Sequence, residues 1–475
     1  MERIKRVFKE LADYTYTVAI LLVIHFAICV LVYFNTTTFR GIAESGALLD
    51  MFDRIIAGER PLPLLGLYWY FTPCYIAYFF FKVFGTIHAF FLFQCLLGTI
   101  TTYIVYRIVL LLSNSRKLGI ISILLMIIYI EHILLSSVFY NQIYEVFLCA
   151  LFLLFCLQLF HEKKILWIIL LSSGIILSAY TSLLFRSTFL FASAFLFLIS
   201  IIFLSKKDYS VFYKFFPLTI VLFLLTFIIK PIDKLREGEV KLQAVAFWGH
   251  TFYGGHGGEV GFIYQKNEDL FYKNLKEYAL RKNIDSITPA VIEDFQSFEV
   301  KRLITREPHK WVFLEFKKFF YTFGSVPPRD DLEMLSTGKI KLPWWVASAI
   351  IQVPMVFLIF LFILTMDFNF MNLIKKKSEK LFIYLIGAYL ISGICFYATY
   401  AERYRPIVFV IAIIPIIATN IRNLKTLFLK EKRTNLYIRL LIISLFISIW
   451  IYQAYEAIVL DADRYFGALD TIIRK

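Results

Sequence analysis

A chain of 475 residues that is 59% hydrophobic, with a mean hydropathy of +0.71, is too apolar to present a water-facing surface over its whole length. Its formal charge of +15 comes from short basic clusters set between apolar runs: ERIKR, SRK, EKK, SKK, KKKSEK and KEKR. No basic face interleaved with aromatics accompanies them, which excludes a nucleic-acid surface.

From the N-terminus, apolar runs of about 18 residues or more, the length that crosses a hydrocarbon core, are expected at 15–34, 87–111, 118–135, 141–160, 165–183, 188–204 and 215–231. A polar stretch over 232–342 follows, and further crossings are expected at 343–365, 381–398, 406–421 and 437–454. Runs that alternate apolar and polar residues are missing, so a membrane barrel is excluded. The first run lacks a small-residue cleavage site and reads as a retained helix. The six cysteines lie almost wholly in apolar segments and read as small buried hydrophobes.

Leu65–Gly85, rich in Tyr and Trp and carrying Pro73, is the ambiguous stretch. If it lies at the interface without crossing, Arg116–Lys117, Lys163–Lys164, Lys206–Lys207, Lys375–Lys377 and the Arg422–Arg433 segment all fall on the side of the basic N-terminus, the cytoplasmic side by the positive-inside tendency. That gives eleven crossings. The opposite side then receives 35–86, the Tyr140–Glu145 corner, the Arg186 corner, 232–340 and Tyr397–Pro406. The chain reads as an all-α polytopic membrane protein in three parts: an N-terminal transmembrane module (1–231), an outer-side region (232–342) and C-terminal transmembrane helices (343–475).

Several polar groups stand out. In ESGALLDMFDRIIAGERP, Glu44, Leu48, Phe52 and Ile55 have helical spacing that closes on Gly58, and Asp50 and Asp53 share another face. Either a solvated amphipathic helix or a general base at the membrane surface fits this pattern. Glu145, after Tyr140, Asn141 and Gln142, opens an apolar helix, where a carboxylate also suits the helix N-terminus. Arg186 is isolated in a long apolar stretch, and a guanidinium there needs a partner or an anion. In AERYRP, Arg403 and Arg405 flank Tyr404 before Pro406, a residue able to open a helix. The glycine-rich AFWGHTFYGGHGGEVGF carries His250, Tyr253 and His256 in a loop whose backbone can approach a ligand closely. It has neither the ending of a phosphate loop nor the histidine spacing of a helical zinc site. Val300–Gly324 has the amphipathic pattern of a helix lying on a membrane.

Three segments together, ESGALLDMFDRIIAGERP, YWYFTPCYIAYFFFKVFG and FFLFQCLLGTITTYIVYRI, resemble the start of the C-type glycosyltransferases, membrane enzymes that include bacterial protein O-mannosyltransferases and aminoarabinose transferases. The resemblance extends over about residues 10–420. It implies sugar transfer from a polyprenyl-phosphate-linked donor to a lipid, glycan or protein acceptor at the outer face of a bacterial plasma membrane. No cofactor is then required, no metal ligand is assigned, and a divalent cation is left open. The family's first-loop acid stands about fourteen residues before a glycine, and fourteen before Gly58 is Glu44, a Glu where Asp is usual. Leu48 stands where Tyr is common, and Asp50 remains a rival base. By the same resemblance Glu145 borders the cavity, Arg186 occupies an Arg-Pro-Thr corner with Ser187 in place of the proline, and Arg403, Tyr404 and Arg405 match an Arg-Tyr-x-x-Pro element. Arg186, Arg403 and Arg405 would hold the carrier phosphate, with His250, Tyr253 and His256 near the sugar or acceptor. The alternatives are a transporter or flippase for a lipid-linked sugar, and an O-antigen ligase or polymerase.

Overall fold

The computed structural model describes residues 2–36, 44–59, 71–182, 192–237, 264–287, 289–309, 312, 319–320, 322–324, 334–335, 339–367, 379–397, 405–424 and 433–455. Regular structure among them is helical throughout. In chain order the helices are α1 (Glu2–Thr36), α2 (Glu44–Ile56), α3 (Phe71–Phe84), α4 (His88–Ser113), α5 (Arg116–Ile128), α6 (Ile130–Ser137), α7 (Gln142–His161) and α8 (Ile165–Ser182). There follow α9 (Ala192–Ser205), α10 (Tyr209–Glu237), α11 (Tyr264–Arg281), α12 (Pro289–Arg306), α13 (Trp344–Thr365), α14 (Lys380–Tyr397), α15 (Arg405–Asn420) and α16 (Arg433–Tyr455).

Among the described residues six helices, within α1, α4, α7, α8, α13 and α16, are long and apolar enough to cross a membrane, and the bent pair α5–α6 makes a seventh if it counts as one span. Shorter apolar helices lie at Ala192–Ser205, Tyr209–Leu225, Lys380–Ser392 and Arg405–Asn420. The chain is an integral membrane protein in its physical character. Large apolar side chains such as Tyr16, Ile20, Val23 and Leu31 of α1 face outward, while His25, Gln94, Thr101, Thr102 and Glu131 are buried. Because lipid is as apolar as leucine, such helices associate through close packing and polar contacts. Gly98 lets α4 approach Ser136 of α6, and Gly119 lets α5 close on the ring of Tyr106.

The expected single span at 118–135 is two helices meeting at 66°. Tyr129 leaves helical geometry there, with φ −78 and ψ 84. Neither Gly nor Pro explains the bend. Side chains hold it: the Tyr129 hydroxyl donates to Glu131 Oε2 at 2.7 Å, and its ring stacks on Phe409, 4.8 Å between centroids. Phe409 opens a π-helical turn, Phe409–Ile413, so two irregular backbones face each other.

The chain folds as two compact units, each built from three separate segments. The first comprises residues 1–231, 329–388 and 406–443, and the second 232–328, 389–405 and 444–475. In the first, helix ends tie together the basic side. His161 of α7 meets Glu379 at 3.3 Å, Lys380 donates to Asn420 at 2.7 Å, and Arg422 reaches Ser115 at 3.5 Å. The Lys214 ammonium donates to the carbonyls of Leu159, Phe160 and Glu162. Arg116, Lys163, Lys214, Lys380 and Arg422 thus gather at one end of the bundle, in line with the charge partition. The other end holds the C-terminus of α1, the start of α4 and the α6–α7 corner. There the Tyr33 hydroxyl meets His88, Ser137 donates to the Cys29 carbonyl at 2.9 Å, and Ile340 N donates to Asn35 at 2.6 Å.

The second unit carries the α11–α12 hairpin. The Tyr278 hydroxyl donates to Asp294 Oδ2 at 2.7 Å, and Lys282 Nζ does so at 3.0 Å. The Tyr278 hydroxyl and then the Lys282 ammonium hold the Asp294 carboxyl below its ordinary range. A depressed acid stabilises the fold above its unfolded pKa, and the contribution disappears as pH falls through the folded value. Protection of 264–306 against hydrogen exchange, corrected for intrinsic rates, is therefore expected to fall as pH drops below about 4. Asp294→Asn should remove that dependence. In the same unit Trp450 Nε1 donates to the Phe323 carbonyl at 2.7 Å, and Phe446 packs on Phe320 and Trp450.

Candidate functional site

The α2 helix forms as its spacing predicts. Leu48, Met51, Phe52 and Ile55 are buried on one face, and Asp50 and Asp53 are exposed on the other. Its end is a Schellman turn: Glu59 N donates to Arg54 O at 3.0 Å and Gly58 N to Ile55 O at 3.2 Å, with Gly58 at φ +78. A Cβ on Gly58 would meet nothing within 4 Å, so Gly58→Ala is purely a conformational cost of about 1 kcal/mol. A small drop in the thermal midpoint of detergent-purified protein would show it.

Both rival carboxylates belong to α2, Glu44 as its first residue and Asp50 at its seventh position. Glu44 stands one turn before Leu48, and Asp50 stands on the exposed side. The stripe packs on α3, where Cys74 Sγ donates to the Leu48 carbonyl at 3.4 Å and Phe52 meets Phe81 edge-on. Phe80 of α3 in turn packs against Phe90 and Phe93 at the start of α4. Pro73 sits in the first turn of α3, where a missing N–H costs nothing.

Glu145 lies at the same end, in the first turn of α7, 1% exposed. Tyr140, Asn141, Gln142 and Tyr144 are buried around it. Gln94 of α4 donates through Nε2 to the Tyr140 carbonyl at 3.4 Å, and its Oε1 has no hydrogen-bond partner among the described residues. Cys74 lies close to Tyr144, so α3 and the α6–α7 corner are neighbours. The positive end of the α7 dipole favours a carboxylate at Glu145. The structure therefore brings the α2 helix and Glu145 to one end of the first unit, opposite the basic clusters.

Arg405 begins α15, with Pro406 next to it as expected, and is fully buried. Its guanidinium donates to the Gly324 carbonyl at 3.2 Å. That contact makes it an anchor within the second unit and supplies the partner a buried cation requires. Arg186, Arg403, Tyr404, His250, Tyr253 and His256 lie outside the described residues, as does the Glu44 side chain. The described cysteines Cys29, Cys74, Cys95, Cys149 and Cys156 are free and buried. No group of three or more metal-ligating side chains occurs among the described residues.

Spans alone do not single out a second polar cluster, deeper in the same unit. His25 stands eleven residues from each end of the span Tyr14–Thr36. Its Nδ1 lies 3.1 Å from Thr99 Oγ1, its Nε2 3.2 Å from Thr102 Oγ1, and its ring 5.7 Å from that of His132. His132 Nε2 is 3.2 Å from the Gly98 carbonyl, which fixes a proton on that nitrogen, and its Nδ1 has no partner among the described residues. Both threonine hydroxyls can instead donate to their own helix, to Cys95 O and Gly98 O. A neutral His25 donates to one threonine and accepts from the other. A charged one donates to both while each hydroxyl turns to its carbonyl. The site accommodates either state without an orphan donor. The signal was in the sequence, in LLVIHFAIC and MIIYIEHILL, as polar groups isolated inside apolar runs.

No protein-family model matches the chain, and no curated protein matches it.

Proposed function

We propose that this chain is a membrane glycosyltransferase that takes a sugar from a polyprenyl-phosphate carrier and passes it to an acceptor at the face opposite the basic end. In this reading the chain crosses eleven times, the bent α5–α6 pair counting as one, and the basic end with the N-terminus faces the cytoplasm by the positive-inside tendency. The observation that supports the reading best is the convergence of the α2 helix, which Glu44 opens, and the buried Glu145 corner on the end that lacks the basic clusters. A lipid-linked donor reaches such a site from the bilayer and a water-soluble acceptor reaches it from outside.

In this reading Glu44 removes the proton from an acceptor hydroxyl or amine. The freed lone pair attacks the sugar anomeric carbon with inversion, and the bond to the phosphate oxygen breaks. The electron pair leaves with the polyprenyl phosphate. By the resemblance, Arg186 and Arg403 would stabilise the charge on the leaving phosphate. Glu145, in a dry corner, orients the acceptor side of the site. The test is to supply purified protein and mixed membrane acceptors with a panel of polyprenyl-phosphate sugars and follow free polyprenyl phosphate. Release with at least one donor is expected, and silence with every donor sinks the proposal.

A transporter of lipid-linked sugar is the second reading, favoured by one observation. The broken α5–α6 pair carries buried Glu131 and His132 beside the mid-span His25, and a broken helix with ionisable groups at depth is the usual build of a transport site. Translocation in proteoliposomes that stops on His25→Leu, with carrier consumption absent, would move this reading to the front.

A further inference from the structure

We propose that a pocket at the basic end of the first unit, between α1, α4 and α5, binds the phosphate headgroup of an anionic lipid. The pocket is about 160 Å³ and is lined by Tyr14, Thr15, Tyr103, Tyr106, Arg107 and Arg116 among others. It lies at the end opposite the α2 helix and Glu145, and it does not rest on the transferase reading.

Arg107 is the residue that needs explaining. It stands six residues before the end of α4, inside a helix that spans, and a guanidinium at that depth is costly without a cavity or counter-charge. Its Nη1 donates to the Tyr103 hydroxyl at 3.2 Å, and its plane lies over the Tyr103 ring at 6.0 Å. Its Nε is buried and has no hydrogen-bond partner among the described residues. The second charged group on the wall, Arg116, is also a cation, and no carboxylate lines the pocket among the described residues. Two guanidinium groups facing one cavity repel each other until an anion sits between them. The guanidinium fork matches phosphate oxygens, and the tyrosine and threonine hydroxyls can donate the remaining hydrogen bonds.

The surroundings argue for a lipid over a free ion. Leu92, Leu96, Ile100 and Tyr103 are all exposed and, with Arg107, follow one another at three- and four-residue steps along a single face of α4. On α1, Tyr16, Ile20 and Val23 are exposed as well. A ligand with its head at Arg107 would lay its hydrocarbon along an apolar stripe that starts at the pocket mouth. Basic pockets between transmembrane helices are the places where anionic headgroups are held. Two sources share this chemistry, bulk anionic phospholipid and a polyprenyl phosphate.

The experiment is native mass spectrometry of delipidated protein in detergent, titrated separately with phosphatidylglycerol, polyprenyl phosphate, phosphatidylcholine and inorganic phosphate. One or both anionic lipids are expected to bind at least about tenfold more tightly than phosphatidylcholine, the worth of one charged hydrogen bond. Arg107→Gln and Arg116→Gln should each erase that margin, Arg107→Lys should keep part of it, and Lys163→Gln, at the same end but away from the pocket, should leave it whole. Because Arg107→Gln places a smaller, neutral group in the span, its elution as a monodisperse species confirms the fold, and Arg116→Gln, on an exposed position, repeats the test without touching the span. Competition between the two anionic lipids identifies the occupant, and a preference for either supports the pocket. Equal binding of phosphatidylcholine, an unchanged margin in both arginine variants, or displacement of lipid by equimolar inorganic phosphate overturns the proposal.

Discussion

Glu44→Gln is expected to lower the release of free polyprenyl phosphate by about a hundredfold or more, while Asp50→Asn stays close to the unaltered chain. The size is that of a lost general base, whose contribution runs from about 10² to 10⁴. The asymmetry comes from α2. Leu48, Met51, Phe52 and Ile55 fix which face is buried, and Glu44 precedes Leu48 by four residues in the sequence. Asp50 stands on the exposed side. Gln is close to Glu in shape, so helix and packing should survive, and an unchanged elution profile and thermal midpoint would confirm that only the proton acceptor is gone. The reverse result, loss in Asp50→Asn alone, would assign the base to Asp50 and require α2 to present its other face to the acceptor. Full activity in both variants would remove α2 from the chemistry.

The sequence carries the longest helices because their apolar runs reach spanning length, and the stop at Gly58 because a positive φ needs glycine there. It cannot carry the bend at Tyr129. That bend has no Gly or Pro, and it is held by a hydroxyl bond to Glu131 and a ring stack on Phe409, a residue far along the chain. The choice between Glu44 and Asp50 is likewise undecided by spacing, since both suit an amphipathic helix until it is known which side is buried. Glu145 is legible as a carboxylate at a helix start, and the structure adds that the corner around it is closed off. Arg405 shows the converse. A cation before a proline looks like an anion site, and only the fold adds that one of its nitrogens donates to the Gly324 carbonyl. His25 and His132 are visible one at a time as isolated polar residues. Their meeting depends on α1, α4 and α6 packing side by side, which no local pattern encodes.

That packing can be tested at one contact. A Cβ on Gly98 would lie 2.7 Å from Ser136 Cβ and closer still to its hydroxyl, well inside van der Waals contact. Gly98→Ala is therefore expected to destabilise the protein by about 1–3 kcal/mol, the usual range for overpacking, despite the higher helix propensity of alanine. The loss should be relieved in steps from the other side. Ser136→Ala removes the hydroxyl and leaves the Cβ clash, and Ser136→Gly removes both. The pair Gly98→Ala with Ser136→Gly moves the one methyl-sized group from α6 to α4, so its loss of stability should be smaller than the sum of the two single losses by a coupling of about 0.5–3 kcal/mol, read from thermal unfolding. Strict additivity would mean that α4 and α6 do not meet there. The same clash reaches further than stability. His132 Nε2 is held by the Gly98 carbonyl, one turn of α6 before Ser136, so a methyl that pushes α6 away also lengthens that bond and disturbs the His25–His132 cluster beside the bend. If Gly98→Ala lowers turnover more than its loss of folded protein explains, and the compensating glycine restores both, then the buried histidine cluster and the functional end of the bundle are coupled through this helix contact.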